Sequence, residues 1–261
     1  MTRSFDLFSD YFARRDNALR RLDARLKLAV ALACLVAILS SSRPALPALA
    51  FLLSLGTLII LGVPLKLLGQ RLLPPLGLVL ALFTLQAFLI GSTPMFSISV
   101  AGWELVAKRE GMLQGALVGS RVLGAVGVLL LLSCVTPAYA IFRTLRWCRV
   151  PKEWVEIALL MYRYIFVFLD DASDMVTAQR VRLGYGGFRR SLSSMGALMG
   201  GLIVRSLEQS LLTHEAMVAR GYAGEFPFGP MPAMRRSERW WLLMALLGIM
   251  GVYLALEGRF S

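Results

Sequence analysis

The 261-residue sequence predicts an all-α integral membrane protein with about five transmembrane helices and a cytoplasmic module of long helices. Three observations lead there. Hydrophobic residues make up 57% of the chain and charged ones only 17%, with a mean hydropathy of +0.66, which is too apolar for a water-soluble domain of this length. Five apolar runs reach or approach the length needed to cross a bilayer. A long interior segment then mixes apolar stretches with charges at intervals that no span would tolerate. The organisation expected is residues 1–136 for the N-terminal segment and the first four spans, 137–239 for the cytoplasmic helices, and 240–261 for the last span and the C-terminus.

The first span, Leu26 to Ser40, is short, but Arg25 and Lys27 can snorkel at its start while Ser40, Ser41 and Ser42 occupy the far interface. The next runs are Ala45 to Val63 and Pro75 to Gly91. Between the third and fourth spans, Phe96 to Val100 alternate strictly and Ala101-Gly102 follow, the pattern of a short strand and turn at the membrane surface. The fourth span, Met112 to Val135, and the residue just before it hold Gly111, Gly115 and Gly119 at four-residue intervals, continued by Ser120 and Gly124, a strip that lets another helix approach closely. Arg121 lies inside this span, where a cation is costly unless paired, and a structural ion pair is favoured over a substrate site because no intramembrane carboxylate cluster accompanies it. Trp240 to Leu256 is the fifth run.

Basic residues resist translocation, so they orient the spans. Seven lie before the first span or at its very start, Lys27 being the last of them, whereas the link after it has only Arg43, which places the N-terminus on the cytoplasmic side of a multi-pass membrane protein. Fourteen basic and nine acidic residues lie between Pro137 and Arg239, and by parity that segment is cytoplasmic too. An amphipathic piece, Ala138 to Trp147, ends before Pro151, and Lys152-Glu153 open a run to about Arg182. In it Glu156, Arg163, Asp170 and Asp174 share one helical face, while Trp154, Ile157, Met161, Ile165 and Phe168 form an apolar stripe. A second long run extends from Leu192 to Arg220. These two read as a coupling module of long coupling helices lying on or beneath the bilayer; hydropathy also permits Trp154 to Leu169 to cross it.

The two runs end alike, in Arg182-Leu183-Gly184-Tyr185 and Arg220-Gly221-Tyr222. An arginine beside a glycine at a helix end complements the helix dipole, and it also holds an exposed cation at a fixed place. Two such ends would make a rigid basic pair.

Several classes of chemistry are missing. No phosphate-cradling G-x-x-x-x-G-K-[ST] loop is present, so the chain has no ATPase site of that type. The single His214, without a G-x-S-x-G elbow, leaves no catalytic triad, and Cys34, Cys134 and Cys148 are too scattered for a metal site or disulfide framework. No apolar h-region precedes Leu28, so no cleavable signal peptide is expected. The formal charge of +12 points to anionic lipid rather than nucleic acid. A self-sufficient carrier, with Arg121 near an anionic path, and an integral membrane enzyme remain as competing readings. What is favoured is a non-catalytic membrane scaffold with a cytoplasmic docking surface.

Glu215 to Tyr222, with Ala219-Arg220-Gly221 at its centre, resembles the Ala-Arg-Gly signature of the transmembrane T component of energy-coupling factor transporters. Ala178 to Leu183, containing Arg180 and Arg182, resembles that family's earlier arginine signature, with Val181 and Leu183 where Ala and Gly are usual. The entry to the first span, Leu22 to Leu28, is also similar, and the long N-terminal lead-in looks like the cobalt-type subgroup, CbiQ. The resemblance implies a subunit of a cobalt or nickel importer, or of a vitamin importer. Two ABC-type ATPases would bind the ATP and contact Arg180, Arg182, Ala219, Arg220 and Gly221, and a separate membrane subunit would bind the substrate. It implies no cofactor and no metal site in this chain.

Overall fold

The computed structural model describes residues 22–89, 93–100, 103–148, 150–224 and 236–258. Among them are eight helices and one antiparallel hairpin. They are α1 (Ala24–Ser40), α2 (Ala45–Ile60), α3 (Leu65–Leu89), β1 (Pro94–Val100), β2 (Trp103–Lys108), α4 (Arg109–Val135), α5 (Ala138–Trp147), α6 (Lys152–Val181), α7 (Phe188–Ala219) and α8 (Arg236–Glu257). The described residues divide into two compact units, one from 142–224 and the other from 22–141 with 236–258, and the boundary falls within α5.

In the larger unit, α3, α4 and α8 are long and apolar enough to cross a membrane. The protein is a helical membrane protein. The shorter α1 and α2, of 17 and 16 residues, pack beside them. Asp23 caps α1, its carboxylate accepting the Arg25 N–H at 3.1 Å. The third span begins ten residues before the expected Pro75, because Pro74 and Pro75 lie inside α3 rather than at its start. Neighbouring helices and local backbone adjustment let a membrane helix absorb such prolines.

The small-residue strip makes α4 the centre of this unit. A Cβ on Gly115 would lie 3.0 Å from the Phe83 ring, and one on Gly119 would lie 2.9 Å from Val79 Cγ1, so α3 packs on that half. Gly124 comes so close to α2 that a Cβ would sit 2.7 Å from the Pro47 carbonyl oxygen, and Gly127 is covered by Ser54. Ala31, Ile38, Leu46 and Val128 join α1, α2 and α4 in one buried cluster, against which Tyr253 and Leu256 of α8 pack. The outer leucines of α3 and much of α8, including Trp240, Trp241, Leu243, Met244 and Leu247, stay exposed, as lipid-facing surfaces should. The alternation at Phe96 to Val100 forms β1, paired with β2 from Pro94↔Lys108 to Val100↔Trp103; the Ala101-Gly102 turn lies outside the described residues.

The smaller unit is built on an α6–α7 helical hairpin. Tyr164 Oη lies 2.5 Å from Thr213 Oγ1, Arg205 pairs with Asp171 at 3.3 Å, and Gln179 Nε2 donates to the Ser194 carbonyl at 2.9 Å. Thr213 spends its own hydroxyl proton on the Gln209 carbonyl at 2.6 Å, so Tyr164 is the donor between them. Residue numbers fall along α6 as they rise along α7 through these ties, so the helices are antiparallel. The stripe of Trp154, Ile157, Met161 and Ile165 points away from this contact and is exposed, with only Phe168 half-buried. On α7, Leu192, Met195, Met199, Ile203, Leu207 and Leu211 form a matching exposed row.

Candidate functional site

The echo between the two motifs is a shared helix ending. Past Val181, Arg182 caps α6 with φ −84° and ψ 13°; past Ala219, Arg220 caps α7 with φ −90° and ψ 10°. The next residue in each case takes the left-handed conformation, Leu183 with φ 55° and Gly221 with φ 80°. The Leu183 N–H then donates to the Arg180 carbonyl at 3.0 Å and the Gly184 N–H to that of Gln179 at 2.8 Å. At the other end Gly221 donates to Val218 at 2.9 Å and Tyr222 to Met217 at 3.0 Å. Both are complete Schellman endings with the arginine at the same position.

The match sets Val181 against Ala219, Leu183 against Gly221 and Gly184 against Tyr222. Leu183, although not the usual glycine, adopts the glycine conformation, and this costs roughly 1–2 kcal/mol for a residue with a Cβ. The surrounding contacts hold it there. Gly184 packs so tightly that a Cβ would lie 2.6 Å from Ser194 Oγ and 2.9 Å from the Gln179 carbonyl oxygen. Ser194 Oγ donates to the Gly184 carbonyl at 2.9 Å, and Tyr185 Oη donates to Gln179 Oε1 at 2.7 Å. Sequence reasoning missed this brace of Gln179, Gly184, Tyr185 and Ser194, because its partners lie up to 15 residues apart with no periodic signal.

Arg180, Arg182 and Arg220 are exposed, and no carboxylate pairs with any of them among the described residues. Ala219 and Gly221 are exposed beside Arg220, and Arg189 and Arg190 stand just past the Arg182 end at the start of α7. The two arginine ends are not adjacent. They flank α7, whose 32 residues at ~1.5 Å each set them roughly 48 Å apart. The expected pair is therefore two separate basic points on one rod.

Within the larger unit, Arg121 has a partner that is not a carboxylate. Its Nε and Nη2 donate to the Ser41 carbonyl at 3.1 and 2.6 Å, where α1 ends. A planar guanidinium with several donors suits such a helix end, which carries partial negative charge. Gly115 and Gly119 lie on the same helix as packing positions against α3.

The sequence profile of CbiQ, described as a cobalt transport protein, matches residues 15–228. The chain belongs to the CbiQ family. A CbiQ cobalt transport protein of Rhodobacter capsulatus is 40% identical over 94 residues, covering 36% of this chain and 38% of that protein. A putative fused cobalt transport protein CbiMQ of Methanocorpusculum labreanum is 32% identical over 219 residues, 79% of this chain and 35% of its own. An uncharacterized protein of Methanocaldococcus jannaschii is 32% identical over 210 residues, 80% of this chain and 78% of its own. Membership in the CbiQ family and the apolar helices together make this chain a membrane component of cobalt transport. The match takes in α1 through α7, both arginine ends included.

Proposed function

We propose that this CbiQ-family chain is the non-catalytic coupling subunit of an energy-coupling factor importer for cobalt or nickel. Two ABC-type ATPases dock on it, one at Arg182 and one at Arg220, and a separate membrane subunit binds the metal. The observation that carries this reading is the matched pair of Schellman endings, each fixing an exposed arginine at one end of α7. A guanidinium stays charged and forms bidentate hydrogen bonds to carboxylates, so each end suits an acidic groove on an ATPase. A single stiff helix between the two points would transmit relative motion of the ATPases when ATP draws them together. The exposed apolar rows on α6 and α7 supply surface for the substrate-binding subunit. ATP is bound by the partners; the N-terminus and both arginine ends face the cytoplasm, in line with the basic flanks.

The competing carrier reading loses its main residue, since Arg121 is engaged with the end of α1. Uptake tests the proposal. Arg220→Ala removes a hydrogen bond to a charged partner, worth ~1.5–3 kcal/mol, and should weaken that contact roughly ten- to hundredfold. Lysine at 182 and 220 should rescue poorly because it lacks the guanidinium fork. Wild-type metal uptake by the Arg182→Ala, Arg220→Ala double variant would rule the proposal out, as would uptake by this chain reconstituted alone.

A further inference from the structure

We infer that a cavity in the membrane unit binds an anionic phospholipid, with one acyl chain inside it and the phosphate at Lys27 and Thr136. The cavity, of about 510 Å³, lies among α1, α2, α4 and α8. That volume is within the range of small-molecule sites. Its walls are apolar, with Val30 and Ala31 from α1, Leu49 and Leu53 from α2, Leu131 from α4 and Ile249 from α8. Water has too few polar partners there to be a stable filling.

Polarity is confined to a few positions, and two of them, Lys27 and Thr136, meet where α1 begins and α4 ends. Lys27 Nζ donates to the Val135 carbonyl at 3.3 Å, which holds the ammonium at that end. Thr136 is 2% exposed, yet its hydroxyl oxygen has no hydrogen-bond partner among the described residues. A buried hydroxyl in that condition calls for a ligand atom, because leaving it unmatched carries the full desolvation cost.

These features together specify the ligand. A thin apolar body fits the walls, a negative charge suits the Lys27 ammonium, and an acceptor oxygen suits the Thr136 hydroxyl. A phosphodiester joined to an acyl chain provides all three. A zwitterionic lipid provides the phosphate but sets a second positive charge beside Lys27, and a free phosphate lacks the apolar body. Gly248 on α8 also lines the cavity, and a Cβ there would meet nothing within 4 Å, so the space is not needed to pack the helices.

The test uses the full chain in detergent, with native mass spectrometry and thermal unfolding in the presence of phosphatidylglycerol, phosphatidylcholine, oleate or inorganic phosphate. One phosphatidylglycerol per chain should be retained, about tenfold in preference to phosphatidylcholine, with a rise in Tm that phosphate alone does not produce and oleate produces weakly. Lys27→Met and Thr136→Val should each lower retention about tenfold. Gly248→Phe should abolish it by filling the cavity; if that variant fails to fold, the other two decide. Equal retention of the two lipids, undiminished retention in Lys27→Met and Thr136→Val, or a full shift with phosphate alone would overturn the inference. So would a second copy of this chain seated in the cavity in place of lipid.

Discussion

Leu183 holds a backbone conformation that glycine would adopt without cost, and it does so at the position equivalent to Gly221. Leu183→Gly should relieve roughly 1–2 kcal/mol of strain, offset by ~0.4–1 kcal/mol of added freedom in the unfolded chain, for a small net gain. Gly221→Leu should lose roughly 1–2 kcal/mol for the converse reason. Thermal unfolding of the purified variants checks both, and an undiminished Tm for Gly221→Leu would mean that the left-handed cap does not fix Arg220. Gly184→Ala should be worse than either, because its Cβ would press on the backbone oxygen of Gln179. Both arginine-bearing helix ends were legible in the sequence, since a cation one or two residues before a glycine after a long helical run is a local signal. The brace behind Arg182 was not, because Gln179 and Ser194 meet only when α6 and α7 fold together. Arg121 was legible as an anomaly, but its partner is a main-chain oxygen, which no residue type marks.

Helix α1 shows why a cation sits inside α4. Its 17 residues reach only ~25 Å, short of a ~30 Å hydrocarbon core, so its last carbonyls would fall within the bilayer without a donor. Arg121 supplies two donors to Ser41 there, and Arg121→Leu should destabilise the membrane unit by about 1–3 kcal/mol. A Tm equal to wild type in that variant would show that the α1 end has another source of donors. The same end is tied to α8, because Ser42 N–H donates to Glu257 Oε1 at 2.5 Å and Arg43 to the Leu256 carbonyl at 3.3 Å. Apolar run length located these helices well and their starts less well. Pro74 and Pro75 read as a boundary in a pattern, whereas α3 runs from Leu65 through both of them to Leu89. Amphipathicity found the α6 stripe but could not say which way it faces; the hairpin is joined through Tyr164, Asp171 and Gln179, which leaves the apolar rows outward.

For the molecule as a whole, coupling requires both arginine ends to lie on the ATP side of the membrane. Cysteines placed at Gly187 and Ala223, in a background lacking Cys34, Cys134 and Cys148, should react with an impermeant thiol reagent only from the cytoplasmic face. Both positions are exposed, and neither has the left-handed backbone of Gly224, where a side chain would be strained. Labelling of either from outside intact cells would exclude docking at that end. The separation of roughly 48 Å along α7 also means that one ATPase cannot occupy both ends through a single groove, so each arginine should control one ATPase. Native mass spectrometry of the chain purified with the proposed ATPases counts them directly. The wild-type chain should carry two, Arg182→Ala or Arg220→Ala should carry one, and the double variant none; two ATPases retained on the double variant would contradict docking through the arginine ends.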